Sequence, residues 1–239
     1  MTATAFFGNA LTAYGPALAV LLLYVALQAQ LVLLLMTAAF FWLVSSLITS
    51  LIWYIITPMQ DAAAHGLPAT IFVGVTIQEG FRYAFFRLMK KADTGLTSIS
   101  SRPTSRLNQP INAFVTGLGF GVMSGLISYI SQLAESSGPA ILPCASCPGT
   151  DVFFIGAITT SLFIFLHTAW NMIALDGWYR GSWLPFAFCA ACHYAASYGT
   201  LLTPSSTVRN GCVISIAICA GLLVVCAALA ARTVDARLR

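Results

Sequence analysis

Charged side chains are scarce in this chain: eleven Lys or Arg and seven Asp or Glu are spread over 239 residues, 8% of the total. That scarcity excludes an ordinary soluble domain, in which about a quarter of residues carry charge. It also leaves no basic footprint with which to grip nucleic acid, and the net charge of +4 has to be explained otherwise. Aspartates are absent from the interiors of the apolar runs, since Asp61, Asp93, Asp151, Asp176 and Asp235 all fall in connections or at run ends. The chain therefore lacks the intramembrane aspartates of an aspartyl protease. No HExxH is present for a zinc peptidase, and no second ligand pair accompanies the CxxC of Cys144 and Cys147 in its loop, so no metal and no cofactor is expected.

What fills the chain instead is hydrocarbon, with 59% hydrophobic residues and a mean hydropathy of +0.86. A membrane span needs about 20 apolar residues. Seven windows qualify, at about 3–27, 31–57, 67–88, 111–134, 152–175, 183–203 and 210–231. The expected fold is an all-α polytopic membrane protein, a seven-transmembrane helix bundle forming a single membrane domain over 1–239, because the connections are too short for an extramembrane unit. The first window lacks a basic leader region and the second follows at once, so it is expected to remain as a mature helix, kinked at Pro16.

The basic residues orient the bundle. Lys90, Lys91, Arg102 and Arg106 lie between spans three and four, Arg180 between five and six, and Arg232, Arg237 and Arg239 after seven, with Arg209 the exception. Seven spans put those three places on one side, and the positive-inside rule makes that side cytosolic. The N-terminus and the loop from Glu135 to Asp151 are then lumenal or extracellular, and the C-terminus cytosolic. Trp53, Tyr54, Trp178, Tyr179 and Trp183 at span ends read as an aromatic belt.

The most informative segment is IQEGFRYAFFRLMKK, Ile77 to Lys91, which sets Gln78, Glu79 and Arg82 inside an otherwise apolar run. Charge in hydrocarbon costs about 2.5–3.5 kcal/mol per residue even on the lenient insertion scale, so such groups need partners or a task. Glu79 and Arg82 are three apart and Gln78 and Arg82 four apart, spacings that share a helix face and allow mutual neutralisation. At 1.5 Å per residue, His167, His193 and Glu79 fall about 12, 15 and 13 Å from the basic ends of their spans. They form one layer, with Asn171 a turn from His167 and with Ser45, Ser46 and Thr49 able to add hydroxyls. Costly polar groups at one depth imply a shared interior cavity; the alternative is a private hydrogen bond for each histidine.

Span four carries TGLGFGVMSGL, in which Gly117, Gly121 and Gly125 recur every four residues, two GxxxG steps in register. A glycine stripe lets a neighbouring helix backbone approach closely, which substitutes in lipid for the missing hydrophobic drive. The partner helix belongs either to this chain or to another subunit. Of the seven cysteines, Cys144 and Cys147 form a CxxC in the outer loop and can close a small disulfide loop on an oxidising side. Cys189, Cys192, Cys212, Cys219 and Cys226 lie in spans six and seven and read as small packing residues.

These segments resemble the Aph (anterior pharynx defective) family of γ-secretase subunits along nearly the whole chain. The carrying stretches are MTATAFFGNALTAYGPALA, AAFFWLVSSLITSLIW, IQEGFRYAFFRLMKKA, GLGFGVMSG, FLHTAW and ALDGW, in that order. The resemblance implies a noncatalytic seven-span scaffold, partnered by presenilin, nicastrin and the presenilin enhancer subunit in membrane lipid. The assembled protease would cut single-span proteins such as Notch-type receptors and amyloid precursor-like proteins, in endoplasmic reticulum, Golgi, endosomal and plasma membranes. It implies a packing role in assembly for Gly117, Gly121 and Gly125, and a presenilin-binding polar cavity built from Gln78, Glu79, Arg82, His167 and His193, with no catalytic residue in this chain. The outer loop from Glu135 to Asp151 matches no motif of the family.

A rival reading is an intramembrane glutamate-dependent peptidase related to CAAX prenyl proteases, using Glu79, His167 and His193. Phe163 and His167 fit its FxxxH, and His167 with Asn171 its HxxxN. That chemistry needs adjacent glutamates, whereas here an amide, Gln78, stands beside Glu79 and cannot act as a general base. A rhomboid-like pairing of Ser124 with His193 fails on GVMSG, one residue longer than GxSG. A seven-span receptor has no supporting pocket signature.

Overall fold

The computed structural model describes residues 3–56, 66–99, 110–138 and 142–238. Asp61, and Arg102, Arg106 and Arg239 of the topology argument, lie outside the described residues, as do 139–141 of the outer loop. Seven α-helices are present among the described residues: α1 (Ala3–Val20), α2 (Ala29–Ile56), α3 (Gly66–Ile99), α4 (Pro110–Glu135), α5 (Val152–Tyr179), α6 (Leu184–Gly199) and α7 (Gly211–Leu238). Pro16 lies inside α1, and a π-helical turn, Leu21–Val25, continues the span beyond it.

Five of these stretches are long and apolar enough to cross a membrane: Ala3–Val25, Ala29–Ile55, Pro110–Glu135, Val152–Tyr179 and Gly211–Asp235. The chain is thus a polytopic, multi-pass, all-α membrane protein. The two remaining windows of the seven are helices of another character. In α3 the polar cluster dilutes the apolar run, and its 34 residues rise about 50 Å, well past a hydrocarbon core of about 30 Å. In α6 the helix has only 16 residues before a 3₁₀ turn at Thr200–Leu202.

The core is organised by α4 and α5. One face of α4 meets α2 and the other meets α5, and α5 also contacts α1, α6 and α7. Glycine decides the α4–α5 approach. A Cβ on Gly117 would stand 2.8 Å from the Thr168 Cα and 2.9 Å from the Asn171 Cβ, and one on Gly121 would strike the Ile164 carbonyl. A Cβ on Gly125 would lie 3.0 Å from side-chain carbons of Ile164 and Thr160. The glycine stripe is therefore filled by α5 of this same chain, and Gly119 on the opposite face lies against the Leu35 backbone of α2. Large side chains then seal the layers: Phe85, Phe120, Leu175 and Trp178 in one buried cluster, Leu118 and Ile164 in another.

Beyond α4 a short antiparallel hairpin, β1 (Pro143–Cys144) and β2 (Cys147–Asp151), leads into α5. Asp151 caps that helix, its Oδ1 accepting from the Phe153 N–H at 3.1 Å. The CxxC spacing leaves open whether Cys144 and Cys147 pair with each other. Cys147 instead joins Cys212 at the start of α7, with Cα atoms 6.2 Å apart, inside the range a disulfide spans. Cys212 is thus a cross-link and no mere packing residue, while Cys144 is a buried free thiol. Ser146 fixes the pairing: its hydroxyl donates to the Thr203 carbonyl at 2.8 Å and accepts from the Cys212 N–H at 2.9 Å, while its own carbonyl accepts from the Asn210 N–H. These bonds draw the hairpin onto the α6–α7 connection and leave position 144 on the other strand.

Candidate functional site

The polar layer predicted from depth is one contiguous cluster. Glu79 and Arg82 on α3, His167 on α5 and His193 on α6 are each no more than 4% exposed. Because Arg82 sits one turn after Glu79, its guanidinium folds back on the carboxylate, with Nε donating to Oε2 at 3.1 Å and a terminal nitrogen to Oε1 at 3.3 Å. The same guanidinium reaches α5, donating to the His167 carbonyl at 3.3 Å and meeting His167 Nδ1 at 3.0 Å. Arginine has no acceptor, so His167 Nδ1 must accept, which places the proton of that neutral ring on Nε2. On the other side Glu79 Oε1 lies 2.8 Å from His193 Nδ1, and an ionised carboxylate can only accept, so His193 donates there.

Aromatic rings hold these groups in place. His193 stacks on Trp170 with centroids 4.6 Å apart, His167 meets His193 edge-on at 5.0 Å, and the Arg82 guanidinium lies 5.1 Å from the Phe120 ring centroid. Trp170 and Phe120 escaped the sequence reading. The signal for Trp170 was available, since it follows His167 by three residues and shares its helix face; Phe120 sits between glycines of a stripe that drew attention to packing. Asn171 does not join the cluster: its side-chain amide donates to Ala113 and Thr116 of α4, at 2.9 and 2.8 Å, tying α5 to α4. Ser45 and Thr49 turn their hydroxyls to carbonyls of their own helix.

The cluster forms the floor of a cavity of about 790 Å³ that runs toward the hairpin. Gln78, His167 and His193 line it together with Tyr129, Gln132, Cys144 and Thr203. Gln78 therefore faces the cavity beside the histidines, while Glu79 and Arg82 lie behind them. The arrangement can hold two buried charges at near neutrality and present imidazole and amide groups to whatever enters. It is a poor hydrolytic centre, because both Glu79 oxygens are already committed to Arg82 and His193 and its neighbour is an amide. The glutamate-peptidase reading has no support in this geometry.

Comparison with known proteins agrees with this architecture. The Aph-1 protein family profile matches residues 4–236. A "Gamma-secretase subunit APH-1B" of Pongo abelii is 36% identical over 208 residues, covering 85% of this chain and 80% of that protein. A "Gamma-secretase subunit Aph-1" of Drosophila melanogaster is 34% identical over 203 residues, covering 84% and 82%. A "Gamma-secretase subunit APH1-like" of Arabidopsis thaliana is 30% identical over 220 residues, covering 90% and 87%. A match of this extent, on a chain with this helix order and this buried cluster, makes the chain a member of the Aph-1 family.

Proposed function

We propose that this chain is a noncatalytic scaffold subunit of a γ-secretase complex, holding presenilin while presenilin performs the intramembrane proteolysis. The observation that carries the reading is the closed polar cluster at the floor of an open cavity. Both oxygens of Glu79 are bound, by Arg82 and His193, and Arg82 is bound in turn to His167, so this carboxylate is not free to activate water, while the cavity of about 790 Å³ above them gives part of a partner room to enter. Gln78, His167 and His193 are the cavity-facing contacts for presenilin, and Glu79 and Arg82 hold the histidines at their angle. Gly117, Gly121 and Gly125 serve assembly indirectly, by letting α5 close on α4 and so carry His167 to its place.

In this reading residues 1–239 form one membrane domain of seven spans, with α3 and α6 as the two polar or short members. The N-terminus and hairpin are lumenal or extracellular and the C-terminus is cytosolic. A Cys147–Cys212 disulfide supports that orientation, since such bonds persist on the oxidising side. Nicastrin and the presenilin enhancer subunit complete the complex, which works in endoplasmic reticulum, Golgi, endosomal and plasma membranes on single-span substrates such as Notch-type receptors.

The test is a His193→Ala variant expressed in place of the parent chain. The expected result is a protein that still inserts but retains less presenilin or supports less proteolysis. Normal retention with normal proteolysis would return His193 to a private hydrogen-bonding role.

A further inference from the structure

A second polar site lies on α3 one to two turns past Arg82. Past Arg82 the helix carries Arg87, Lys90 and Lys91, spaced three and four residues apart on one stripe with Tyr83 before them and Thr94 after. All three cations are exposed. They line a cavity of about 610 Å³ with Tyr83, Phe86, Trp178 and Trp183.

The end of α5 builds the other wall of that cavity. Gly181, at φ 75°, takes the left-handed conformation after Arg180. The Gly181 N–H then bonds the Trp178 carbonyl and the Ser182 N–H bonds the Gly177 carbonyl, a Schellman closure. The turn brings Trp183 over Tyr83 at 5.0 Å between centroids, with Trp178 at 5.2 Å on the same ring. Arg87 sits 5.9 Å above the Tyr83 ring and donates to its hydroxyl at 3.3 Å, and Lys90 lies 6.0 Å from the Phe86 ring. Leu88, 45% exposed, supplies an apolar edge to the same cavity.

We infer that this cavity binds the headgroup of an anionic phospholipid, such as phosphatidylserine, with Arg87, Lys90 and Lys91 on the charged groups and the Tyr83–Trp178–Trp183 wall against the glycerol region. Three exposed positive charges, where α3 leaves the span expected at 67–88 and beside a wall of indole rings, match the polarity profile of that lipid from headgroup to acyl chain. Leu88 marks the edge along which the acyl chains descend. A free phosphate would leave the indoles and Leu88 unused. The site is separate from the histidine cavity and does not depend on the scaffold reading.

Native mass spectrometry of the full chain, purified in mild detergent with whatever subunits accompany it, tests the inference. Phosphatidylserine, phosphatidylcholine and inorganic phosphate are the probes. Phosphatidylserine is expected to stay bound under conditions that strip phosphatidylcholine, and millimolar inorganic phosphate is expected not to displace it. At about fivefold in partition per juxtamembrane basic residue, R87Q/K90Q/K91Q should weaken phosphatidylserine retention roughly hundredfold. The charge-conserving R87K/K90R/K91R should keep it. Should the neutral variant insert poorly, Trp183→Ala leaves every charge in place and should still reduce retention. Equal retention of the two lipids, unchanged retention in R87Q/K90Q/K91Q or in Trp183→Ala, or displacement by inorganic phosphate would overturn the assignment.

Discussion

At the scale of single residues, the Glu79–Arg82 pair is held by burial as much as by attraction. A buried pair stripped of one partner leaves an uncompensated charge, at a cost of about 3–5 kcal/mol. Glu79→Gln turns an amide N–H toward either Arg82 or His193, both of which donate, so one contact becomes repulsive. Arg82→Met leaves the carboxylate bonded only to His193. Each single variant is therefore expected to lower the thermal midpoint of the solubilised protein sharply, whereas the double variant, with no net charge left in the core, should recover a substantial part of the loss. Additive losses would show that the two residues act separately. The pair was legible in the sequence because three-residue spacing is local and needs no knowledge of the fold. The histidines were legible only as a depth: span counting put them in one layer, but that His167 would accept from Arg82 and His193 donate to Glu79 depends on the rotation of α5 and α6, which the chain does not print.

Among elements, α4 is the member whose surface has least latitude. Gly121→Ala would drive a methyl into the Ile164 backbone, and backbone cannot swing aside as a side chain can, so a loss of about 1–3 kcal/mol is expected. Gly125→Ala meets only side-chain carbons of Ile164 and Thr160 and should be milder, and Gly80→Ala, with open space around it, should be neutral or slightly stabilising. Yield of folded protein across the three variants checks the order; equal losses at Gly80 and Gly121 would contradict it. The glycine spacing announced a close contact without naming the partner, because a stripe describes one helix surface and not its neighbour. The hairpin shows the same limit more sharply. Cys147 and Cys212 are 65 residues apart, and nothing in a CxxC discloses that Ser146 will draw its strand to the start of α7. Peptide mapping without reduction should recover the Cys147–Cys212 link and a Cys144 that alkylates only after unfolding; Cys144→Ser should leave the link intact, and recovery of a Cys144–Cys147 link would sink the pairing.

For the whole molecule, composition points to a membrane protein, and apolar runs long enough to span as helices make it a helical one. The two helices that fall outside the apolar criterion, α3 and α6, are the ones that carry Glu79, Arg82 and His193. In α3 the polar groups dilute the apolar run, whereas α6 is short, with 16 residues before its 3₁₀ turn. A chain built this way spends its polar groups on one another and on a cavity rather than on chemistry, which is the physical content of the scaffold reading. The most direct test is to purify the full chain in mild detergent, probe for presenilin and nicastrin, and assay peptidase activity of the assembled material and of the isolated chain. The account predicts that both partners come with it and that only the assembly is active. An isolated chain that cleaves by itself, and stops on Glu79→Gln, would contradict it.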